Sequence, residues 1–240
     1  MRIDKYLQNK FCLKSRTYAE NLIKTGRVRL NGKIISKSSF DVSEKDEIEI
    51  LNDENYASQG AYKLEKAFED FKIEVKDKNC ADIGCSNGGF TDCLLRHGAN
   101  HVLAVDVAEC ALDEKLLNSG KVDFLKANAR ELPKNLDKVD FLCSDVSFIS
   151  LKLVLQSMFD LLKAGGEAVV LVKPQFELDS TALTKRGIVA DEKLRIRAVE
   201  SVKSHAIAIG FEILGFSTSP IRYENKNIEY LLYLKKNRVI

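Results

Sequence analysis

The sequence predicts an α/β fold with a central, mostly parallel sheet, preceded by a small α+β module. Two observations lead there. Beyond residue 61, short apolar strands alternate with helical stretches, the pattern of a parallel sheet covered by helices. Before residue 52 the chain is short-ranged and strongly basic: residues 1–37 hold ten Lys or Arg against Asp4 and Glu20, a local charge of +8 within a net +2, leaving −6 for the rest. The polar stretch Asn52-Asp53-Glu54-Asn55 marks the change. We therefore divide the 240 residues into a module at 1–51, a linker at 52–60 and a large domain at 61–240. Hydrophobic residues at 45% and charged residues at 30% call for a packed core and exclude a collagen-like or broadly disordered chain. No apolar run approaches the roughly 18 residues of a membrane span. The charged start Met1-Arg2-Ile3-Asp4-Lys5 is unlike a secretory signal, so a cytoplasmic protein without a membrane partner is expected. Six cysteines form no CxxC pair and three histidines no ligand cluster, so reduced thiols and no metal are expected.

In the module, Ile3, Leu7 and Phe11 recur at helical spacing, and Ser15 can cap a second helix carrying Ala19, Leu22 and Ile23 on one face. Gly26 can close that helix in the left-handed conformation. Arg27-Val28-Arg29-Leu30 then alternates like a strand, and Asn31-Gly32 supplies the two positive-φ residues of a tight hairpin before Lys33-Ile34-Ile35 returns. Val42, Ile48 and Ile50 complete a small core. Basic residues on such a module suit phosphate binding, because each neutralised phosphate releases counterions. On Arg2, Asp4, Leu7, Ser15, Arg16, Ala19, Ile23, Gly26, Val28, Asn31 and Gly32, the segment resembles the αL RNA-binding domain. The resemblance implies that Arg16, Lys24, Arg27, Arg29 and Lys33 contact RNA shape and backbone rather than base edges.

In the large domain a helix around Leu64, Ala67, Phe68 and Phe71 is followed by strands at Cys80–Ile83, His101–Val105, Val122–Leu125, Val139–Cys143 and Ala168–Val172. Helices are expected near Phe90–Arg96, Leu151–Leu162 and Glu192–Ala208, and closing strands near Glu212–Phe216 and Ile228–Leu234. Ligands of such sheets sit at the carboxyl ends of the strands. There, Asp82-Ile83-Gly84-Cys85-Ser86-Asn87-Gly88-Gly89-Phe90 makes a glycine loop that lets a ligand approach the backbone. Ser86 stands where GxGxxG needs its second glycine, and Phe90 where a P-loop needs lysine, which weakens both the dinucleotide and polyphosphate readings. Asp82 suits an ammonium group, Asp106 a pair of ribose hydroxyls, and Asn128 an adenine edge. With Gly84, Ser86, Gly88 and Gly89 they describe a site for S-adenosylmethionine.

Three more strand ends carry charge: Ser144-Asp145-Val146-Ser147-Phe148, Val172-Lys173-Pro174-Gln175-Phe176 and Asn227-Ile228-Glu229-Tyr230. A methyltransferase acting on a base amine often has an Asn/Asp-Pro-Pro-aromatic loop at the fourth strand; Asp145-Val146-Ser147-Phe148 has neither proline. An alcohol acceptor instead requires removal of a hydroxyl proton as the methyl is attacked in line. A lysine can serve when desolvation and a second cation lower its pKa and carboxylates orient it. Lys63, Asp145, Lys173 and Glu229 offer that set. Through these segments and Gly187-Ile188-Val189, the whole chain resembles the TlyA family, an αL domain fused to an FtsJ-like, Rossmann-like S-adenosylmethionine-dependent methyltransferase domain. The resemblance implies 2′-O-methylation of cytidine in the ribosomal RNA of a ribosomal subunit. It also implies a Lys63-Asp145-Lys173-Glu229 tetrad with Lys173 as base, Lys63 and Asp145 positioning the ribose, and Glu229 holding the lysine network.

Where the family usually shows Ser-Arg-Gly-Gly, this chain reads Ser58-Gln59-Gly60-Ala61-Tyr62-Lys63, which removes an arginine and a glycine. Resemblance to the family's shorter form favours large-subunit RNA. The long connection Pro174–Asp191 is expected to form a lid, with Lys185 and Arg186 touching RNA. Phe90, Phe148 and Phe176 are expected as core or loop anchors. Rival readings are a non-catalytic ribosome-binding factor, a small-molecule O-methyltransferase, and a membrane-active hemolysin, a label some family members carry. The intact tetrad, the basic module and the absence of an apolar span weigh against them in turn.

Overall fold

A computed structural model describes residues 1–13, 15–24, 26–51, 56–221 and 226–237. These residues form two compact units, one built on residues 1–51 and the other on 56–219 and 226–237. Of the expected linker, 52–55 lie outside the described residues. Residues 56–60 are not a free connection: Tyr56 is buried and the Ala57 amide donates to Asp92 Oδ2 at 2.8 Å, so the larger unit starts at Tyr56.

The small unit runs α1 (Ile3–Lys10), α2 (Arg16–Lys24), β1 (Val28–Leu30), β2 (Lys33–Ile34) and β3 (Ile48–Ile50). Ser15 caps α2, its Oγ accepting from the Tyr18 amide at 3.0 Å. Asn31 and Gly32 both have positive φ, +50° and +77°, and set the register Leu30↔Lys33 of an antiparallel three-stranded sheet ordered β2-β1-β3. Ile3, Leu7, Ala19, Leu22, Ile23, Val28, Ile35 and Val42 fill its core. Phe11 departs from the expected stripe: α1 stops at Lys10, Cys12 turns left-handed at φ +51°, and Phe11 is left exposed.

The larger unit continues with α3 (Gly60–Phe71), β4 (Asn79–Ile83), α4 (Gly89–Arg96), β5 (His101–Asp106), α5 (Glu114–Leu117), β6 (Val122–Lys126) and β7 (Val139–Ser144). A 3₁₀ turn at Leu151–Leu153 precedes α6 (Leu155–Leu161), β8 (Leu162–Val172), α7 (Pro174–Glu177), α8 (Glu192–Ile209), β9 (Phe211–Thr218) and β10 (Tyr230–Lys236). The sheet order is β6-β5-β4-β7-β8-β10-β9; β4 to β8 are parallel and β10 runs antiparallel between β8 and β9. Period-two alternation divides the core into two layers. Cys80, Phe141, Cys143, Val169, Leu171, Leu231 and Tyr233 face α3 and α4, whereas Ala81, Leu142, Ala168, Val170, Val172 and Leu232 face α6 and α8. The sheet is therefore covered on both faces, which is why its central strands read as nearly continuous apolar runs.

Asp4 is the buried charge of the small unit. Its carboxylate, fully buried, accepts from Arg16 Nη2 at 2.8 Å and Arg2 Nη2 at 2.9 Å. Burial alone would raise its pKa; the two guanidiniums and the Lys5 amide overcome that and hold it at about 2. A carboxyl lowered this far contributes on the order of 2 kcal/mol, reduced because both arginines are half-exposed. That stability is present above the ordinary carboxyl pKa and is lost as pH falls from about 4 towards 2. Asp4→Asn is expected to accelerate hydrogen exchange of the α1 and α2 amides at pH 7, with the difference from wild type shrinking as acid protonates Asp4.

Candidate active site

The topology collects the charged strand ends at one edge. Asp145 and Lys173 directly follow the carboxyl ends of β7 and β8, and Glu229 directly precedes β10, whose first residue pairs as Tyr230↔Val172. Because β10 is antiparallel, its amino end lies beside the carboxyl ends of its neighbours. Lys63 enters from the first turn of α3.

The four side chains form a continuous chain of charge. Lys63 Nζ lies 2.8 Å from Glu229 Oε2 and 2.9 Å from Asp145 Oδ2; Lys173 Nζ lies 2.7 Å from Asp145 Oδ1 and donates to Ser147 Oγ at 2.6 Å. Lys173 is buried and the other three are mostly covered. Burial would lower the Lys63 pKa, but Asp145 and Glu229 raise it above the usual value. Burial would likewise raise Asp145, and the two ammoniums overcome it and bring its pKa down. Asp145 is thus a carboxylate clasped between two lysines.

The loops bearing these groups are joined further along. The Phe148 and Phe176 rings sit 5.4 Å apart, and Glu177 accepts from Ser150 Oγ at 2.6 Å and from the Leu151 amide at 2.7 Å. Phe148 meets the loop after β8 through Phe176 but is otherwise uncovered. It is 91% exposed at φ +63°, a left-handed conformation costly for a bulky residue. No periodicity or spacing marks it in the sequence. Ser147 and Asn227, within the charged segments, and Glu177, one residue beyond the second, also take part without any sequence signal that singles them out.

The expected lid is an ordered connection. It contains α7, a 3₁₀ turn at Ser180–Ala182 and a tight turn closed by Gly187 N to Thr184 O at 2.8 Å and Thr184 N to Ile188 O at 2.9 Å. Asn227 pins it, accepting from the Val189 amide and donating to Gly187 O, both at 2.8 Å. Lys185 and Arg186 occupy the tip, where with Lys226 they line a shallow cavity of about 500 Å³. In the small unit, Arg16 pairs with Asp4, Lys24 lies 3.7 Å from Glu20 and Arg29 lies 3.2 Å from Glu49. Arg27 ends the turn after α2, its amide bonded to Leu22 O, and Lys33 is exposed on β2.

The glycine loop is shaped by its neighbours more than by open space. A Cβ on Gly84 would meet Val146 and the Asp145 carbonyl at 3.2–3.3 Å; on Gly88 it would meet Leu116 at 2.4 Å; on Gly89 it would meet Ser58 Oγ at 2.2 Å. These glycines let protein segments pack against the loop, a role the sequence reading did not foresee. Ser86, exposed at φ +48°, donates its amide to Asp106 Oδ2 at 2.9 Å, while Asp106 Oδ1 accepts from the Ala108 amide at 3.0 Å. Each oxygen keeps a second lone-pair direction for a ligand hydroxyl. Asn128 is exposed past the end of β6, with its Oδ1 on the Arg130 amide at 3.0 Å. Asp82 is buried; its Oδ2 accepts from Thr91 N and Oγ1 at 2.9 and 2.7 Å, and its Oδ1 has no partner among the described residues.

That orphaned carboxylate oxygen is suited to a cationic ligand group and costs the ligand-free fold. Burial chiefly, helped by Asp145 and Asp106, raises Asp82 to about 7 despite the Thr91 hydrogen bonds. With the folded pKa above the ordinary 3.8, the ionised carboxylate destabilises the native state progressively as pH rises through 7. Asp82→Asn, which can still accept from Thr91, is expected to raise Tm relative to wild type more at pH 8 than at pH 5.

An FtsJ-like methyltransferase family model matches residues 56–236, and an S4 domain model matches residues 1–48. Hemolysin A of Brachyspira hyodysenteriae is 38% identical over 97% of this chain and 99% of its own length. The 16S/23S rRNA (cytidine-2′-O)-methyltransferase TlyA of Mycobacterium tuberculosis is 38% identical over 98% of this chain and 89% of its own. The 23S rRNA (cytidine-2′-O)-methyltransferase TlyA of Campylobacter jejuni is 32% identical over 99% of this chain and all of its own. The spatial order of the sheet, the two matching models and relatives aligned nearly end to end agree: this chain belongs to the FtsJ-like methyltransferase family, in the TlyA branch that joins such a domain to an S4 domain.

Proposed function

We propose that this protein transfers the methyl group of S-adenosylmethionine to the 2′-hydroxyl of a cytidine in ribosomal RNA, preferentially that of the large subunit. The observation that carries the reading is the Glu229–Lys63–Asp145–Lys173 chain of contacts at the sheet edge, next to the glycine loop. Asp82, Gly84, Ser86, Gly88, Gly89, Asp106 and Asn128 would hold the cofactor, which supplies an electrophilic methyl on a sulfonium. The unpartnered Asp82 Oδ1 fits its ammonium group, and the Asp106 carboxylate, oriented by two backbone amides, fits ribose hydroxyls.

The acceptor hydroxyl must lose its proton as it attacks. We assign Lys173 as the base that takes that proton, its Nζ fixed by Asp145 Oδ1 and Ser147 Oγ. Lys63, locked by Asp145 and Glu229, supplies a fixed positive charge beside the developing alkoxide. Phe148 offers an exposed ring to the acceptor base. Residues 1–51 act as the RNA-binding domain and the unit that starts at Tyr56 as the methyltransferase domain, with Arg16, Lys24, Arg27, Arg29, Lys33, Lys185 and Arg186 on the RNA backbone. We place the protein in the cytoplasm with its substrate. Among the described residues, no helix is long and apolar enough to cross a membrane.

The test is transfer of labelled methyl from S-adenosylmethionine to purified unmethylated ribosomal subunits. Wild type is expected to label the large subunit as 2′-O-methylcytidine, and Lys173→Ala to lose about 10²–10⁴-fold in rate. Full activity of Lys173→Ala would remove the base assignment, and absence of transfer to either subunit despite cofactor binding would remove the function. Phe148→Ala is expected to weaken RNA use by about 1–3 kcal/mol with cofactor affinity unchanged. Lys185→Ala with Arg186→Ala is expected to lower RNA affinity and flatten its salt dependence, read from binding isotherms at several salt concentrations.

A further inference from the structure

Glu65, Cys93 and His97 bring a carboxylate oxygen, a thiol sulfur and an imidazole nitrogen within 4.8 Å of one another, away from the tetrad. Two of the three come from one helix: Cys93 and His97 are four residues apart, on α4 and its C-cap, and so share a face. Glu65 comes from α3, which packs on the same side of the sheet. The sequence alone does not announce the group, because the third ligand is supplied by packing rather than by spacing.

Glu65 Oε1 lies 2.9 Å from His97 Nε2 and 3.5 Å from Cys93 Sγ, and the Tyr56 hydroxyl also donates to it. Three hydrogen-bonding groups therefore converge on one oxygen with two lone-pair directions. A single cation among them would resolve that oversubscription, taking over the roles of the thiol and imidazole protons. The spacing suits such an ion: bonds of about 2.0–2.1 Å to N and O and about 2.3 Å to S imply donor separations of roughly 3.3–3.6 Å in a tetrahedron. Thiolate and imidazole select a borderline-soft ion over magnesium or calcium. Cys93 is buried at the inner side while His97 is 37% exposed, so an ion can enter from solvent and keep water as its fourth ligand. Tyr56 then acts behind the site, orienting the glutamate.

We propose that Glu65, Cys93 and His97 form a zinc-binding site that fastens α3 to α4. The site is separate from the methyl-transfer chemistry but ties the helix carrying Lys63 to the helix that follows the glycine loop. Zinc binding displaces the thiol proton, so affinity rises with pH, and because the ligands come from two elements, zinc raises Tm with the logarithm of its free concentration.

The experiment uses the full chain, reduced and stripped with a chelator, and titrated with Zn²⁺ against a chromophoric competitor. One equivalent is expected to bind with submicromolar affinity. Cobalt in its place is expected to show a thiolate-to-cobalt charge-transfer band that Cys93→Ser abolishes. His97→Ala changes an exposed residue and so tests the site where the buried cysteine variant fails to fold; with Glu65→Gln it is expected to weaken zinc binding at least about tenfold. Binding of much less than one equivalent overturns the proposal and leaves a Glu65–His97 hydrogen bond. So does a cobalt complex without the thiolate band, or zinc affinity unchanged in His97→Ala and Glu65→Gln.

Discussion

The Asp145 carboxylate, held between Lys63 and Lys173, is the interaction on which the arrangement of the charged strand ends in the larger unit depends. Isolated, any of these charges would be expensive beneath the sheet edge, because desolvation removes more than a single contact restores. Together they are tolerable: each ammonium faces a carboxylate, and Glu229 balances the second positive charge. The arrangement constrains everything around it. The loops after β7 and β8 are closed on each other by Phe148 with Phe176 and by Glu177 on Ser150 and Leu151, so Asp145 and Lys173 cannot drift apart independently. Removing one member leaves its partners buried without compensation, which makes the group a unit rather than four separate contributions.

A second electrostatic tension lies nearby. Asp82, Asp106 and Asp145 stand at the ends of β4, β5 and β7, close enough that the latter two raise the Asp82 pKa. Asp106 is relieved by the Ser86 and Ala108 amides, and Asp145 by lysines, whereas Asp82 has only Thr91 on one oxygen. The fold therefore bears a local cost where a ligand cation can remove it, a common pattern at functional sites.

Much of this was legible in the sequence because the signals were local. Ser15 as a cap, Asn31-Gly32 as a turn and the seven strands each rest on a few adjacent residues, and all appear with boundaries shifted by a few positions. β8 is the exception: its strand starts at Leu162, not Ala168, because pairing with β7 through Val139↔Leu162 extends it backwards. The tetrad was legible in part because strand ends can be counted, while its contacts required the antiparallel β10. What stayed hidden was long-range. The crowding at Gly88 and Gly89 comes from Leu116 and Ser58, and the ordering of the Pro174–Asp191 connection comes from Asn227, some 40 residues away. The exposure of Phe148 follows from its backbone conformation, which nothing in its neighbours' side chains encodes. The short helix at Glu114–Leu117 carries too little periodicity to read.

The insertion of β10 between β8 and β9 has a consequence for the order of folding. β10 pairs with β8 across roughly sixty residues of intervening chain, and it separates two strands that precede it. Strands β4 to β8 can assemble through parallel neighbours while the gap beside β8 is still open, but closing that gap requires the longest loop in the sheet to be drawn in. Glu229 arrives only with that closure. A chain arrested before it would have a nearly complete sheet and a glycine loop, yet Lys63 would lack one of its two counter-ions. Assembly of the charge network thus requires the sheet to be complete.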